Sequence, residues 1–346
     1  MNMKSGNLIE NVAVILPVYN TAPYLEETLA SLSRQTDPHW TAFCVNDGST
    51  DGSGQMLDAA VRKDARIRVI HQPNHGVASA RNRVLTYLGH EKDPGTRFPY
   101  CVFLDSDDIL APTLFEACRK TLEQVPTADA VRFEAVRSVD FKEYPSFKEI
   151  NALDSVPVHQ RDVEGWIRNR DVQSNFCQYL YRTAGVSDAR FPAYRVGEDR
   201  VWFATWLTRP KQIVDIPLVG YGYRITPGSA TMQRETPEKV RNVIDFYRDV
   251  LQVWNSSGRK LENAVRRHVA NMIIEGIPYR LFKLPQRKCQ TLWSAWFDLL
   301  PQVCLLYPLS RWRRLTLFLL THTRSRLLAI CLGAWPHALK LRGLHR

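Results

Sequence analysis

The chain has 346 residues, enough for about two domains, and its hydrophobic fraction of 45% is typical of a folded globular protein. The formal net charge of +11 is uneven, because residues 286–346 hold ten Lys or Arg and one acid, a net +9 that leaves +2 for the remainder. Seven cysteines show no CxxC pair and no regular spacing. This pattern excludes a disulfide framework and a cysteine zinc site, and it predicts reduced, buried thiols. The first twelve residues lack the apolar core of a signal peptide, so we expect a cytoplasmic protein.

The first hundred residues alternate between apolar runs, the first of them mostly β-branched, and segments with helical spacing. This alternation predicts a parallel sheet with right-handed crossovers. No GxGxxG follows the first strand, which argues against a dinucleotide-binding Rossmann domain. The predicted strands are Val12–Val18, Trp40–Val45, Ile67–His71 and Tyr100–Leu104, and the predicted helices are Leu25–Leu32, Gln55–Lys63 and Gly76–Leu88.

An acidic turn follows the fourth predicted strand. The apolar run Tyr100–Leu104 leads directly into Asp105, Asp107 and Asp108. Ligands of open α/β sheets bind at the carboxyl ends of the strands. Three neighbouring carboxylates repel one another, so a divalent cation such as Mn²⁺ or Mg²⁺, shared with substrate phosphates, is the expected partner. The alternative is a simple strand-ending turn, since Asp and Ser favour turns.

Five sequence elements occur in a fixed order over about 190 residues: VILPVYNTAPYLEETLASLSRQT, CVNDGSTDGS, NHGVASARN, FLDSDD and FPAYRVGEDRVWFATWL. The ordered set resembles the family 2 glycosyltransferases of the inverting, bacterial cell-surface glycan type. The resemblance implies an α/β GT-A fold (the nucleotide-diphospho-sugar transferase fold) with a mostly parallel central sheet, followed by a helical, membrane-associating region. We accordingly expect an N-terminal tail (1–10), a GT-A domain (11–235) and a helical region (236–346). Within the GT-A domain, residues 11–108 would bind the nucleotide-sugar and residues 109–235 would face the acceptor.

The resemblance also implies a donor site for a nucleotide-sugar, with a UDP-sugar expected. Asp47 would accept a hydrogen bond from the base, Arg81 would bind the diphosphate, and Asp107 would bind the metal ion directly. The metal would neutralise charge on the departing nucleoside diphosphate. The full set of expected donor contacts is Pro17, Tyr19, Asn20, Asp47, Arg81, Asp105 and Ser106.

Two acids open a later predicted helix, Arg200–Leu207. By resemblance, Asp199 is the catalytic base of an inverting transfer, and Glu198 orients the acceptor, a glycan or a lipid-linked sugar. The structural alternative is helix capping, since acids at a helix start are stabilised by about 0.3–1 kcal/mol. No QxxRW string follows, which favours transfer of a single sugar over processive synthesis. Tyr223–Thr231 resembles the segment that closes the active site in many relatives.

The C-terminal segment 286–346 combines its basic charge with Trp293, Trp296, Trp312 and Trp335. No window offers the ~20 uninterrupted apolar residues of a spanning helix. The composition predicts peripheral attachment to an anionic membrane surface, at the inner face of the plasma membrane. An ordinary helical subdomain is the alternative, and no nucleic-acid-binding motif accompanies the charge.

Two other functions remain open from the sequence. The string FLDSDDI nearly fits the nucleophile strand of haloacid-dehalogenase-like phosphatases, although that motif usually opens its chain and here follows three strands. A non-catalytic nucleotide-sugar-binding membrane protein is the other, but such a protein would not need the Glu198–Asp199 pair.

Overall fold

The computed structural model forms two compact units, each described here by itself. The first comprises residues 1–163, 173–193 and 209–229, and the second comprises 164–172, 194–208 and 230–346. The residues that the structure describes are 11–90, 98–139, 141, 176–187, 189–193, 197–206, 211–226, 236–256, 272–282, 284–285 and 289–302.

The first unit is built on a sheet whose first half is parallel. Its strands are β1 (Val12–Val18), β2 (Trp40–Asp47), β3 (Ile67–Gln72) and β4 (Tyr100–Phe103). They lie in the order β3-β2-β1-β4. Every residue of β1 and β2 is buried, as the continuous apolar runs predict for central parallel strands.

Helices α1 (Ala22–Ser33), α2 (Ser53–Lys63) and α3 (Val77–His90) connect these strands in turn. The first begins three residues before its predicted start, because Pro23 occupies the first helical turn, where proline is well accommodated. The predicted alternation of strand and helix is therefore confirmed, and its boundaries shift by a few residues. Helix α4 (Leu114–Gln124) follows the acidic turn.

The second half of the sheet is mixed. It contains β5 (Ile109–Leu110), β6 (Ala130–Ser138), β7 (Tyr179–Arg182) and β8 (Ile213–Arg224). Strand β7 is antiparallel to β4 and β6, β5 is antiparallel to β8, and β6 is parallel to β8. The expectation of a mostly parallel sheet thus holds for β3-β2-β1-β4 and needs correction for the other half. A buried apolar run carries no signal for strand direction, which is why the sequence did not reveal the reversal.

An aromatic cluster packs below the end of β4. The Phe103 ring lies 5.1 Å from Phe176, 5.8 Å from Tyr181 and 5.4 Å from Phe191. All four rings are buried. Because aromatic rings bury large areas in fixed geometries, this cluster gives the acidic turn after β4 a rigid base.

The described part of the second unit is helical. It includes α5 (Glu198–Trp206), α6 (Pro237–Ser256), a π-helical turn (Met272–Gly276), α7 (Ile277–Phe282) and α8 (Gln290–Phe297). The sequence predicts that α5 belongs with residues 109–235 of the GT-A domain. In the structure its apolar face joins the core of the second unit. That core includes Val201, Ile244, Leu251, Ile277, Trp293 and Trp296.

Two of the tryptophans assigned to a membrane surface are core residues. Trp293 and Trp296 are 1% and 0% exposed, and the indole N–H of Trp296 donates a 2.6 Å hydrogen bond to the Ile273 carbonyl. These two side chains therefore stabilise the second unit and are not available to a membrane. Trp312 and Trp335 lie outside the described residues, as does most of 286–346. Among the helices that are described, none is both long enough and apolar enough to cross a bilayer.

The cysteines are reduced where the structure describes them. They are Cys44, Cys101, Cys118, Cys177 and Cys289; none of these five is in a disulfide, and all five are buried. Burial raises the pKa of Cys44 and of Cys101 to about 12. A thiol with so high a pKa is not a nucleophile near neutral pH.

Candidate active site

Three neighbouring strands end at the same edge of the sheet and carry the predicted donor site. Parallel pairing aligns Val12 with both Trp40 and Tyr100, so β1, β2 and β4 run in the same direction. Their carboxyl ends lead into Asn20, Asp47 and Asp105 respectively. This is the edge at which open α/β sheets bind ligands.

The exit of β1 is tied to the loop after β2. Asn20 adopts a left-handed conformation with φ of 52°, which asparagine tolerates better than most residues. Its backbone N–H donates to Ser49 Oγ at 3.1 Å, and its Oδ1 accepts from the Thr50 N–H at 2.8 Å. Tyr19 beside it is 49% exposed, whereas Pro17 is buried within the strand.

Asp47, the predicted base-reading residue, is only 2% exposed. Its Oδ1 accepts hydrogen bonds from Gln72 Nε2 at 2.8 Å and from the His75 N–H at 2.9 Å. Its Oδ2 accepts from the Gly76 N–H at 2.8 Å. An ionised carboxylate offers about four acceptor positions, so three donors leave room for one more. Asp47 therefore fixes the loop that leads into α3, and it retains capacity for one further hydrogen bond.

Arg81 and Asp105 form an ion pair inside the site. Arg81 Nη2 donates to Asp105 Oδ1 at 2.8 Å, and the Arg81 side chain is almost wholly buried. The guanidinium also stacks over the rings of Phe176 and Phe191, at 4.7 and 5.2 Å from their centroids. The pair holds the positive charge close to the acidic turn, where an anionic ligand would meet it.

Ser106 lies between the carboxylates and is itself buried. Its hydroxyl accepts a 3.0 Å hydrogen bond from Thr21 Oγ1, and its carbonyl accepts one of 3.0 Å from Thr28 Oγ1. Thr21 precedes α1 and Thr28 lies within it. The acidic turn is thus joined to α1 through Ser106.

Asp107 and Asp108 differ in their surroundings. Burial, with the neighbouring Asp105 as a second cause, raises the pKa of Asp107 to about 6. Asp108 accepts 2.6 Å and 2.7 Å hydrogen bonds from the Tyr221 hydroxyl and the Arg224 N–H. Both oxygens of Asp108 are therefore held by β8, whereas Thr226 Oγ1 approaches Asp107 Oδ2 at 3.4 Å.

Comparison with known proteins identifies the domain that contains this site. Residues 13–179 match the profile of the family described as glycosyl transferase family 2. This chain carries a family 2 glycosyltransferase domain. Glycosyltransferase EpsJ of Bacillus subtilis, described as uncharacterized, is 40% identical over 117 residues, which cover 34% of this chain and 32% of EpsJ. The first four curated relatives are covered over 32%, 36%, 36% and 41% of their lengths, so the chain spans little more than a third of those proteins.

Two solved structures support the GT-A fold of the glycosyltransferase domain. Residues 1–349 of TarS from S. aureus, in complex with UDP-GlcNAc, match with a TM-score of 0.64 and 18% identity. This match covers 95% of our chain and 92% of that one. The mannosyltransferase PcManGT from Pyrobaculum calidifontis, in complex with GDP-Man and Mn²⁺, has a TM-score of 0.52 and 17% identity, and 94% and 87% of the two chains are covered. At these identities the likeness shows the fold alone.

The acidic turn of the glycosyltransferase domain fits a divalent cation in its donor chemistry. The Asp107 carboxylate offers hard oxygen donors, and its raised pKa reflects burial and a neighbouring negative charge, both of which a cation would offset. Within the described part of the chain, no three His, Cys, Asp or Glu side chains are grouped as metal ligands. An ion held here would take its other ligands from substrate phosphates and water, as Mg²⁺ commonly does.

The predicted base and acceptor residues belong to the second unit. Glu198 and Asp199 open α5 directly after Gly197, whose φ of 92° is in the left-handed region. Glu198 is largely buried and Asp199 is half-buried. Acids in the first turn are favoured by the helix dipole, so this position is also structurally stable. Their catalytic roles stay predictions.

Several residues of the site carry no clear signal in the sequence. Gln72 holds Asp47, Tyr221 and Arg224 hold Asp108, and Thr226 contacts Asp107. Each is supplied by a strand end distant in sequence from the carboxylate that it contacts. Tyr223 and Arg224 at the end of β8 belong to the segment that resembles a closing segment of relatives, but only the burial of Arg224 marks it as part of the site. Residues 227–231 of that segment lie outside the described part.

Proposed function

We propose that this protein is a metal-dependent, inverting glycosyltransferase. It moves one sugar from a nucleotide-sugar, a UDP-sugar in the first instance, to a glycan or lipid-linked acceptor in cell-surface polysaccharide or lipopolysaccharide synthesis. The observation that carries the proposal is the acidic turn Asp105–Asp108, held at the carboxyl end of β4 beside the exits of β1 and β2. The family match over residues 13–179 supports transfer over phosphate-ester hydrolysis.

The donor and metal assignments have separate support. UDP-GlcNAc in the TarS complex favours a uridine nucleotide, while GDP-Man and Mn²⁺ in the PcManGT complex favour a divalent ion on this fold. In this chain, Tyr19 would stack on the base and Asp47 would accept its imide N–H. Asp105 and Ser106 would lie along the ribose, with Asn20 and Pro17 shaping the base pocket. Arg81 would face the diphosphate.

Asp107 is the residue that would hold Mn²⁺ or Mg²⁺. When bound, the cation supplies positive charge against the diphosphate, which makes it a better leaving group. The remaining chemistry belongs to side chains of this protein. No acid is then needed to protonate the departing group.

Asp199 would act as the general base, with Glu198 orienting the acceptor. The acceptor hydroxyl oxygen forms a bond to the anomeric carbon, and the bond from that carbon to the phosphate oxygen breaks with its electron pair leaving on the nucleoside diphosphate. The hydroxyl proton passes to Asp199. General-base assistance of this kind is typically worth about 10²–10⁴-fold. A single displacement without an enzyme nucleophile inverts the anomeric configuration.

The basic segment 286–346 would attach the enzyme to the inner face of the plasma membrane, where lipid-linked acceptors are found. The charge of residues 303–346 supports this proposal, because a basic side chain near an anionic surface contributes about 1 kcal/mol. The buried Trp293 and Trp296 do not take part.

A panel of nucleotide-sugars tests the proposal most directly. Thermal unfolding is measured with each nucleotide-sugar, with Mn²⁺ or Mg²⁺ and then with EDTA. We expect one uridine nucleotide-sugar to stabilise the protein only with metal, and to be consumed when an acceptor extract is added. Cleavage of simple phosphomonoesters would indicate a phosphatase. If the protein binds the donor with metal but neither transfers its sugar to an acceptor nor hydrolyses it, the protein is a non-catalytic binding protein.

A further inference from the structure

A buried arginine from the end of β8 contacts the backbone of the acidic turn. Arg224 Nε donates a 2.7 Å hydrogen bond to the carbonyl of Asp107, 117 positions earlier in the chain. Its own backbone N–H donates at 2.7 Å to Asp108 Oδ1. Only 5% of Arg224 is exposed. Two consecutive residues of the turn are therefore held by one residue of β8.

The guanidinium of Arg224 is fixed from its other side as well. Its Nη2 forms an ion pair with Glu27 on α1. The group also lies over two rings, 5.2 Å from the Tyr24 centroid and 4.8 Å from the Phe141 centroid. A planar guanidinium held by a carboxylate and by ring faces has little freedom to rotate. The nitrogen that reaches the Asp107 carbonyl is thus presented in one position.

This contact acts on the conformation of Asp107. A hydrogen bond to the Asp107 carbonyl restrains the peptide plane between residues 107 and 108, and with it the backbone angle ψ of Asp107. Thr226 restrains the carboxylate itself, through the 3.4 Å contact of its hydroxyl with Asp107 Oδ2. Both restraints come from the last residues of β8 and those just after it, so the strand holds Asp107 at its carbonyl and at its carboxylate.

We propose that Arg224 is a positioning residue for the metal-holding carboxylate of Asp107. The proposal rests on the proposed function, because it assumes that Asp107 binds a divalent cation together with a nucleoside diphosphate. Metal sites depend on the groups that orient their ligands, and loss of such a group typically weakens metal binding about 10–100-fold. Arg224 supplies such orientation through the backbone, without being a ligand.

The alternative is that Arg224 serves stability alone. In that case, removing the Arg224–Glu27 ion pair would lower the free energy of unfolding but leave the metal affinity of the folded protein unchanged. A positioning residue lowers the metal affinity of protein that is still folded. Mn²⁺ affinity and unfolding free energy therefore separate the two roles.

The test compares Arg224→Lys with a matched control, Arg137→Lys. Lysine keeps the charge, but its single ammonium cannot serve both the Asp107 carbonyl and Glu27 in the fixed geometry of a guanidinium. Arg137 lies on the neighbouring strand β6, paired in register with Tyr223, and its guanidinium lies 5.3 Å from the Tyr223 ring. The control thus makes the same chemical change on the same sheet.

Mn²⁺ is titrated into each 346-residue protein with saturating UDP, and free Mn²⁺ is measured by electron paramagnetic resonance. We expect the Mn²⁺ dissociation constant of Arg224→Lys to rise about tenfold or more, and that of Arg137→Lys to stay within about twofold of wild type. Glu27→Gln should shift it in the same direction by a smaller factor, and it decides the matter if Arg224→Lys does not fold.

An unchanged Mn²⁺ affinity in folded Arg224→Lys, or in Glu27→Gln where that variant decides, overturns the role of Arg224. If wild type itself binds no Mn²⁺ with UDP, the proposed function fails and the Arg224 proposal fails with it. The two failures are distinguished by the wild-type titration.

Discussion

Tyr221 donates a 2.6 Å hydrogen bond to Asp108, a residue 113 positions earlier in the chain. The Tyr221 oxygen also accepts a 3.2 Å hydrogen bond from the Asp105 N–H. One phenol therefore joins the first and last carboxylate residues of the acidic turn. Asp108 is thus held as an anchor and Asp105 is ion-paired with Arg81, which leaves Asp107 as the carboxylate of the turn most open to a cation.

Tyr221→Phe should lower the free energy of unfolding by about 1–3 kcal/mol, because it leaves a buried carboxylate oxygen of Asp108 without its donor. Denaturation in urea at constant pH measures the change. Tyr87→Phe is the control, since the hydroxyl of Tyr87 is at the surface and accepts from the exposed Arg68. That variant should change stability by no more than about 0.5 kcal/mol. Equal losses in both variants would contradict the anchoring role of Tyr221.

Asp107→Asn should stabilise the metal-free protein while abolishing metal-dependent binding of UDP. Burial and Asp105 raise the pKa of Asp107 from 3.8 to about 6, so the folded state holds this proton more tightly than the unfolded state. The free energy of unfolding therefore falls as the pH rises from about 4 to 6, where Asp107 becomes ionised. At pH 8 the asparagine variant should gain roughly 1–3 kcal/mol, and at pH 3.5 the gain should largely disappear.

Urea denaturation in EDTA at both pH values measures this difference, and calorimetry with UDP and Mn²⁺ measures binding. A gain of equal size at pH 3.5 and pH 8 would show that ionisation of Asp107 is not its cause. Retained Mn²⁺-dependent UDP binding would remove Asp107 from the metal site.

Asp199→Asn should separate donor binding from transfer. The asparagine keeps the size of the side chain, so α5 should remain folded, but it cannot accept a proton. We expect kcat to fall by about 10²-fold or more with little change in the donor KM. Glu116→Gln, a surface change on α4, should leave kcat unaffected. Near-normal kcat in Asp199→Asn would contradict the assignment of the base, and retention of anomeric configuration in the wild-type product would contradict a single displacement.

Truncation after Gln302 should release the protein from anionic membranes while the helical core stays intact. Residues 303–346 carry eight Lys or Arg and no acid, so the cut removes +8 but keeps α8 with its buried tryptophans. Sedimentation with anionic vesicles, and with neutral vesicles as the control, measures the attachment. Truncation before Gln286 is a poor test, because it also removes Trp293 and Trp296 from the core. Continued sedimentation of the 1–302 protein with anionic vesicles would place the membrane contact elsewhere.

The parallel half of the fold could be predicted because its signals are local. Strands β1, β2 and β4 are largely apolar runs, and the helices between the strands show a regular spacing, as in Leu25, Leu29 and Leu32. The antiparallel strand β7 could not be predicted, because only four residues, Tyr179–Arg182, form it. Its direction is set by pairing with β4 and β6, which leaves no mark in its own sequence.

The same distinction applies to the candidate site. Asp105 and Asp107 could be proposed from the sequence because a cluster of acids after an apolar strand is unusual. The burial of Asp47 and the partners of Asp108 could not, since hydrogen bonds across 25 or more residues depend on the completed sheet. A buried arginine such as Arg224 has the same sequence appearance as one at the surface.

The left-handed Asn20 has a consequence for protein engineering. Asn20 connects the loop after β1 to Ser49 and Thr50 in the loop after β2, and Thr21 connects it to Ser106 in the loop after β4. These three loops are therefore joined by hydrogen bonds into one structural unit. Replacing one loop with that of a relative would break contacts that the other two supply. To change the nucleotide preference, all three loops would therefore be exchanged together while the sheet is left unchanged.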